Sequence, residues 1–316
     1  YVKARFFTGI SYVRMRKAQP AAAAFRDIIA ALDEGDIEAV DEPDRMRDLA
    51  WISLARVYYT AANRTTPEGE RKVDGVLLGN AVEAWTKLEP ESEYWLDGLF
   101  EASWAFFLAD EYSRALGNVH TLNAPYFRNT FYPEALVLKA VVFFSNCQMQ
   151  NATAVVQQFH ERYDPVKSKL DELLTKYSDN AQFFEFLQKI RSGETDLPKE
   201  VRGVVRSALS DRAVLANLEY VALLDDENKS LEKSPSQFKG SSLGARIQQD
   251  VLVAKSFAVD QAGDTAKARY NRLIEEMQDL SNQIDTVEIE TLNYQRGQIS
   301  AELQQQQTAA GQSTGG

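Results

Sequence analysis

The sequence predicts an all-α protein in which helical hairpins stack into a solenoid and long helices follow toward the C-terminus. Three observations lead to this prediction. A spacing of small and bulky residues recurs five times. Apolar residues then continue at helical steps beyond the hairpins. Hydrophobic residues at 44% and charged residues at 26% are ordinary for a folded globular chain.

The recurring spacing has four members. A small residue is followed after three positions by an aromatic residue, after nine more by an alanine, and after four more by a bulky residue; one copy stretches the middle gap to 23. Steps of three and four residues place each pair on one helical face, and small residues let two helices approach closely. The five copies are Gly9-Tyr12-Ala21-Phe25, Ala55-Tyr58-Ala81-Trp85 (the stretched one), Ser103-Phe106-Ala115-Val119, Ala140-Phe143-Ala152-Val156 and Ala254-Phe257-Ala266-Tyr270.

This spacing resembles the tetratricopeptide repeat, a helix–turn–helix unit of about 34 residues. Ala81 and Ala115 are 34 residues apart, and Ala115 and Ala152 are 37 residues apart. The first-helix pattern of that family is matched by Trp51, Leu54, Ala55 and Tyr58. The texture of residues 101–165 is similar to that of tetratricopeptide proteins in bacterial cell-envelope complexes. The resemblance implies a fold of paired helices and is nearly silent about function.

The chain divides into four parts by this pattern. They are tetratricopeptide-like hairpins (about four) at 1–165, a helical segment with an exposed connection at 166–245, a further repeat-like hairpin with a long coiled-coil-like helix at 246–306, and a disordered tail at 307–316. The hairpin region carries insertions at 33–47 and 61–80, and residues 63–72 in the second insertion are predicted to form an exposed loop. Pro165 is expected near the end of a helix, which proline cannot continue.

The repeat-like hairpin near the C-terminus is expected to break at Gly263 and Asp264, since glycine suits a helix C-cap and aspartate an N-cap. The helix that follows carries apolar residues at steps of four, three and four, which is the spacing of a coiled-coil seam. We expect this seam to be able to pair with a partner helix. Its residues are Leu273, Met277, Leu280 and Ile284, after which the apolar positions shift toward Leu292, Ile299 and Leu303.

A concave face lined by the first helices of the hairpins is the partner-binding surface that the resemblance implies. Eleven positions map to it: Phe6, Ile10, Ile52, Arg56, Tyr59, Phe100, Trp104, Phe107, Val137, Val141 and Phe144. Such a face would bind a partner helix or an extended peptide. The alternative is that helices from 166–232, or the C-terminal helix, fill the concavity. The family's clamp for a C-terminal carboxylate uses Lys, Asn and Arg, and only Arg56 is similar, so that specificity is not expected.

Several classes of function are not expected. No run approaches the 18 apolar residues of a membrane-spanning helix, and a net charge of −11 argues against a general nucleic-acid surface. His120 and His160 show no carboxylate or second histidine at ligand spacing, and the acidic stretch 33–44 lacks the ligand spacing of an EF-hand. Cys147 is predicted to be a buried apolar filler. We therefore expect no cofactor, no metal ion and no enzymatic activity.

The function predicted from these patterns is that of a non-catalytic scaffold or adaptor within a larger bacterial assembly, through the concave face or the C-terminal helix. A repeat-type sensor for a small ligand or signalling peptide is the first alternative, and a non-catalytic part of a larger enzyme is the second. Because Tyr1 rather than Met begins the chain, we interpret it as a fragment. The compartment stays open, with the periplasm or cell envelope favoured over the cytoplasm.

Overall fold

The computed structural model confirms the all-α class. It describes residues 1–35, 40–65, 69–127, 132–194, 197–209 and 211–313. Within these ranges the elements, in chain order, are α1 Val2–Arg14, α2 Ala18–Asp33, α3 Pro43–Ala62, β1 Asn63–Thr65, β2 Arg71–Val73, α4 Gly75–Trp85, α5 Trp95–Leu108, α6 Tyr112–Leu122, a 3-10 turn Pro125–Phe127, α7 Glu134–Ser145, α8 Met149–Lys176, α9 Asn180–Ser192, α10 Lys199–Leu209, α11 Arg212–Glu232, α12 Ser236–Lys239 and α13 Ser242–Ser313.

The chain forms two compact units. Unit 1 comprises residues 1–125 and 138–152, and unit 2 comprises residues 126–137 and 153–316. In unit 1 consecutive helices pack against one another from α1 to α6. In unit 2 helix α13 packs along α9, α10 and α11.

Three helical hairpins share the same turn, and the turn residues all lie in unit 1. The residue four positions after the repeat aromatic adopts a left-handed conformation in each: Arg16 at φ 55°, Asp110 at φ 57° and Cys147 at φ 55°. The amide of the next residue donates a hydrogen bond of 2.8–2.9 Å to the carbonyl oxygen of that aromatic. This geometry ends a helix sharply and satisfies its last carbonyl groups. The turn also exposes Cys147, so the prediction that this side chain is buried is wrong.

Three small residues of the recurring spacing are fully buried in unit 1. Ala115, Ala140 and Ala152 are each 0% exposed. A methyl group added to Gly9 would lie 2.8 Å from the ring of Phe25, closer than side chains pack. Glycine at this position therefore sets the separation of α1 and α2, as the spacing predicted.

The second predicted insertion, 61–80, is more structured than an exposed loop. Helix α3 extends into it as far as Ala62, and β1 pairs with β2 in antiparallel register, Asn63 opposite Val73. The carboxylate of Asp74 then accepts hydrogen bonds from the first amides of α4, which begins that helix. Residues 66–68 lie outside the described residues. In the first insertion, 33–47, α3 already begins at Pro43, and residues 36–39 are not described.

The boundary expected at residue 165 does not end a helix. Helix α8 runs through Pro165 to Lys176. Proline inside a helix costs about 3 kcal/mol, but the apolar face of α8 is buried on both sides of it, with Tyr163 at 4%, Val166 at 3% and Leu170 at 0% exposure. Burial of this continuous face offsets the cost of the proline.

The repeat-like hairpin expected after residue 246 is instead one helix, so that prediction is wrong. Helix α13 continues through Gly263 and Asp264 without interruption. A methyl group at Gly263 would lie 2.1 Å from the backbone oxygen of Asn180, at the start of α9. Glycine is thus needed here for close approach of two backbones within unit 2, and not to end a helix.

The seam on α13 is an apolar stripe, as its spacing predicted, but it is buried in unit 2. Exposure is 3% at Leu273, 2% at Met277, 7% at Leu280 and 0% at Ile284. Side chains buried in this way are not free to pair with a partner, and the expectation of assembly through the seam is corrected accordingly.

The buried face of α13 extends to Thr291, and the apolar side chains that follow it are more than half exposed: Leu292 (54%), Ile299 (58%) and Leu303 (53%). Residues 307–313, expected in a disordered tail, continue the helix, and 314–316 are not described.

Candidate groove in unit 1

A groove of about 900 Å³ lies in unit 1, at the end where α1 turns into α2 and α3 leads into β1. Ligand sites in proteins commonly have volumes of about 300–1,000 Å³. The residues that line it are Ile10, Val13, Arg16, Lys17, Ala18, Phe25, Ser53, Arg56, Val57, Thr60, Ala61, Arg64 and Thr65.

The apolar part of the lining belongs to the core of the first hairpin. Phe25 is 0% and Val57 is 6% exposed, and Ile10 packs against the same cluster. Val13 sits one turn beyond Ile10 on α1 and is 44% exposed. The groove therefore combines a rigid floor with an apolar side chain that is open to solvent, which suits a ligand with apolar groups.

Among the described residues, four cationic side chains line the groove, and no carboxylate does. Arg16 and Lys17 occupy the turn after α1, where the left-handed conformation of Arg16 directs the chain into α2. Within the part of the chain that the structure describes, neither of them has an ion-pair partner. Arg64 is the middle residue of β1, and its Nε donates to the carbonyl oxygen of Ala61 at 2.8 Å. In a chain of net charge −11, this is a local concentration of positive charge.

The fourth cation, Arg56, is held by a carboxylate on α5. Its Nε and Nη2 donate to the Oε atoms of Glu101 at 2.6–3.0 Å, and Trp85 Nε1 donates to the same carboxylate at 3.1 Å. Partial burial, the largest single influence, lowers the pKa of Arg56, but the hydrogen bond to Glu101 together with the charges of Glu101 and Asp97 raises the pKa overall. The network joins α3, α4 and α5 and fixes the guanidinium at the wall of the groove.

Two of the predicted concave residues, Ile10 and Arg56, line the groove. Tyr59 lies one turn from Arg56 and packs on Trp85 with ring centroids 5.8 Å apart. Phe6 packs on Phe25 at 5.6 Å and is half-buried in the core of the first hairpin. Neither ring lines the groove, although both lie on helices that form it.

The remaining predicted residues do not line the groove. Trp104 and Phe107 pack edge to face at 5.9 Å on α5, and Phe107 continues to Tyr112 at 6.1 Å. Phe100, Val141 and Phe144 are half-buried, and Ile52 and Val137 are fully buried. The sequence pattern implied one exposed aromatic face, but these side chains are largely covered.

Sequence reasoning missed Val13, Arg16, Lys17 and Arg64. The available signal was the run from Val13 to Lys17, which has three cations in five residues of an acidic chain. The repeat spacing assigns those positions to the end of a helix and a turn, and it carries no information about which turn faces a groove.

A smaller cavity of about 470 Å³ lies between α4, α5 and α6. Its charged lining residue, Arg114, stacks 4.0 Å over the ring of Phe106 and is ion-paired with Glu111 at 2.7 Å. Asn118, also in the lining, donates to the carbonyl oxygen of Leu99 at 3.2 Å. Because these polar groups already bond within the chain, this cavity offers less to a ligand than the groove beside Arg16.

No protein-family model matches the chain, and a search of curated proteins finds no match. Among the described residues, no helix combines the length and apolarity that crossing a membrane requires.

Proposed function

We propose that the chain is a non-catalytic interaction protein whose unit 1 binds an extended peptide segment in the groove beside Arg16. The observation that carries the proposal is the lining itself: an apolar floor bordered by Arg16, Lys17, Arg56 and Arg64, with no acidic residue in the described part of the lining. A partner segment with alternating apolar and acidic side chains complements this lining, since opposite charges steer association and set its register.

The proposal retains the tetratricopeptide-like interpretation of unit 1. Its support is the recurring left-handed turn and the buried small residues at the helix crossings. Proteins with such folds bind other proteins through an extended helical surface, and we propose the adaptor role because unit 1 would offer such a surface. The further proposal, membership in an assembly of the bacterial cell envelope, rests on the sequence resemblance alone.

The test is peptide binding measured by fluorescence anisotropy. The probe is a labelled peptide of about ten residues in which leucine alternates with glutamate, long enough to span about 30 Å when extended. The variant R16E/K17E reverses two charges in the groove. The matched control, R26E/K87E, makes the same change in charge at exposed positions of unit 1 outside the groove.

We expect the groove variant to weaken binding by about tenfold or more, and the control to bind like the wild type. Binding to the wild type should also weaken as salt is raised. Equal loss in both variants would show a diffuse charge effect and would contradict the proposed site. A peptide with lysine in place of glutamate should not bind.

A second candidate function is sensing of a small amphipathic anion. The volume of the groove, about 900 Å³, favours it because that space can enclose a small molecule. A medium-chain fatty acid would serve as the probe in calorimetry. Saturable binding of this probe, with displacement of the labelled peptide, would place the sensor function at the same groove.

A further inference from the structure

A cluster of metal-ligating side chains lies in unit 2, between α8 and the long helix α13. His160 on α8 faces Asp285 and Glu288 on α13, and their ligating atoms all lie within 4.8 Å of one another. The expectation that His160 has no carboxylate at ligand spacing is wrong, because Asp164 lies one turn further along α8, with Oδ2 3.1 Å from the imidazole Nδ1.

The separations fit a first-row divalent cation. Imidazole nitrogen and carboxylate oxygen bind zinc at about 2.0–2.2 Å. Two ligands at that distance are about 3.0 Å apart in an octahedron and about 3.4 Å apart in a tetrahedron, by simple geometry from the same bond length. His160 Nε2 lies 3.1 Å from Asp285 Oδ1. One ion could therefore contact both atoms, and the carboxylate of Glu288 lies within 4.8 Å of each of them.

Charge also favours a cation. Three carboxylates, those of Asp164, Asp285 and Glu288, converge on one imidazole. Among the described residues, no lysine or arginine forms an ion pair with any of the three. Lys167, further along α8, donates a hydrogen bond to Gln278 on α13 and not to any of these carboxylates. Even a protonated His160 leaves the cluster with a net negative charge, which a divalent cation neutralises.

The second nitrogen of the imidazole has the contact that metal-binding histidines need. Asp164 Oδ2 lies 3.1 Å from Nδ1, and in the tautomer in which Nδ1–H donates to it, Nε2 is unprotonated and faces Asp285 on α13. A carboxylate behind the histidine fixes its tautomer and raises its basicity, and removal of such a partner typically weakens metal binding by about 10–100-fold. The relevant residues lie on two rigid helices, since Phe159 and Ile284 beside them are buried at 1% and 0% exposure.

We propose that His160, Asp285 and Glu288 form a divalent-cation site of the zinc class, with Asp164 as the positioning residue of the imidazole. One nitrogen and two carboxylate ligands suit Zn²⁺ better than Ca²⁺ or Mg²⁺, which prefer oxygen ligands alone. The bound ion joins α8 to α13 and stabilises unit 2. This site is separate from the groove of unit 1 and does not depend on the function proposed there.

The test uses the full chain purified without a histidine tag and stripped with a chelator. Equilibrium dialysis with Zn²⁺ should give one saturable equivalent, and Co²⁺ should give visible absorption bands on binding. The melting temperature should rise by several degrees with Zn²⁺. The variants H160A and E288Q should each fail to bind this equivalent of Zn²⁺. The control H120A removes the other histidine, at an exposed position of unit 1, and should still bind it.

Asp164 has its own measurement. D164N should keep the stoichiometry of one and weaken the affinity by about tenfold or more. The proposal is overturned if the wild type shows no saturable Zn²⁺ binding, or if H160A and E288Q still bind one equivalent of Zn²⁺. The cluster would then be only a histidine that is ion-paired with carboxylates. E288Q keeps the histidine and its ion pairs, so loss of metal in this variant cannot be ascribed to a misfolded chain if its circular dichroism is unchanged.

Discussion

Unit 1 and unit 2 use the same sequence spacing to build different structures. In unit 1 the spacing marks pairs of helices joined by turns at Arg16, Asp110 and Cys147. In unit 2 the copy from Ala254 to Tyr270 lies on one continuous helix, α13. The spacing alone therefore does not specify a hairpin; the turn between its two halves does.

Helix geometry explains the outcome in unit 2. Nine residues at 100° each amount to about 900°, which places the two halves of the motif on opposite faces when the helix does not break. Phe257 in the first half is 74% exposed, and Tyr270 in the second half is 0% exposed. In a hairpin both halves would face each other and both would be buried, as Phe106 and Val119 are at 6% and 0%.

The largest expected effect separates the two uses of glycine. Gly263→Ala should lower the free energy of unfolding by about 3 kcal/mol, since the new methyl group meets the backbone of Asn180, which cannot move alone. Gly9→Ala meets the ring of Phe25, a side chain that can shift, and should cost about 1 kcal/mol. Urea denaturation followed by circular dichroism measures both.

Two features sharpen that measurement. All four tryptophans lie in unit 1, at positions 51, 85, 95 and 104, so their fluorescence reports that unit directly. Gly297→Ala on α13 is the control, because open space surrounds its added methyl group, and it should not destabilise the protein. An equal loss in the free energy of unfolding for Gly263→Ala and Gly297→Ala would mean that α13 does not pack closely on α9.

Alkaline pH should affect unit 2 through Tyr163. Burial raises the pKa of its hydroxyl from 10 to about 12. The unfolded chain ionises near pH 10 and the folded chain near pH 12, so stability is complete below pH 10 and is lost as pH rises toward 12. The loss should reach about 2 kcal/mol. Urea denaturation between pH 10 and 12 measures this loss. The free energy of unfolding should fall less steeply with pH in Y163F than in the wild type. Y126F, at a tyrosine that is 88% exposed, should behave like the wild type.

Trp104→Ala tests where the proposed peptide segment would bind in unit 1. The side chain packs edge to face on Phe107, so truncation should lower the free energy of unfolding by about 1–2 kcal/mol. Peptide affinity should stay the same, because Trp104 does not line the groove. Lost affinity with unchanged stability would instead support the wider concave face that the sequence pattern implied.

The smallest effect is expected at the end of α13. Apolar side chains beyond Thr291 are exposed, so a chain that ends at Arg296 should change in stability by less than about 0.5 kcal/mol. Light scattering with size exclusion should show the same mass per particle, apart from the residues removed. A change from a larger assembly to a monomer would identify this segment as a subunit contact.

The sequence predicted most of the helical pairing in unit 1, because buried alanine and glycine at crossings leave a local signal, as at Gly9 and Ala115. Of the groove it predicted Ile10 and Arg56, which lie at repeat positions. The cations of the turns, Arg16 and Lys17, and the inserted Arg64 have no periodic signal. The burial of the seam at Ile284 was not predictable either, since an apolar stripe has the same spacing whether its partner is this chain or another.

Covalent capture of the peptide tests the proposed groove most directly. A photoreactive benzoylphenylalanine in place of Val13, at the groove, should cross-link the leucine–glutamate peptide, and the adduct should disappear in the R16E/K17E background. The same residue in place of Val76, which is 75% exposed on α4 and outside the groove, should give no adduct above background. Equal capture at positions 13 and 76 by mass spectrometry would contradict the account.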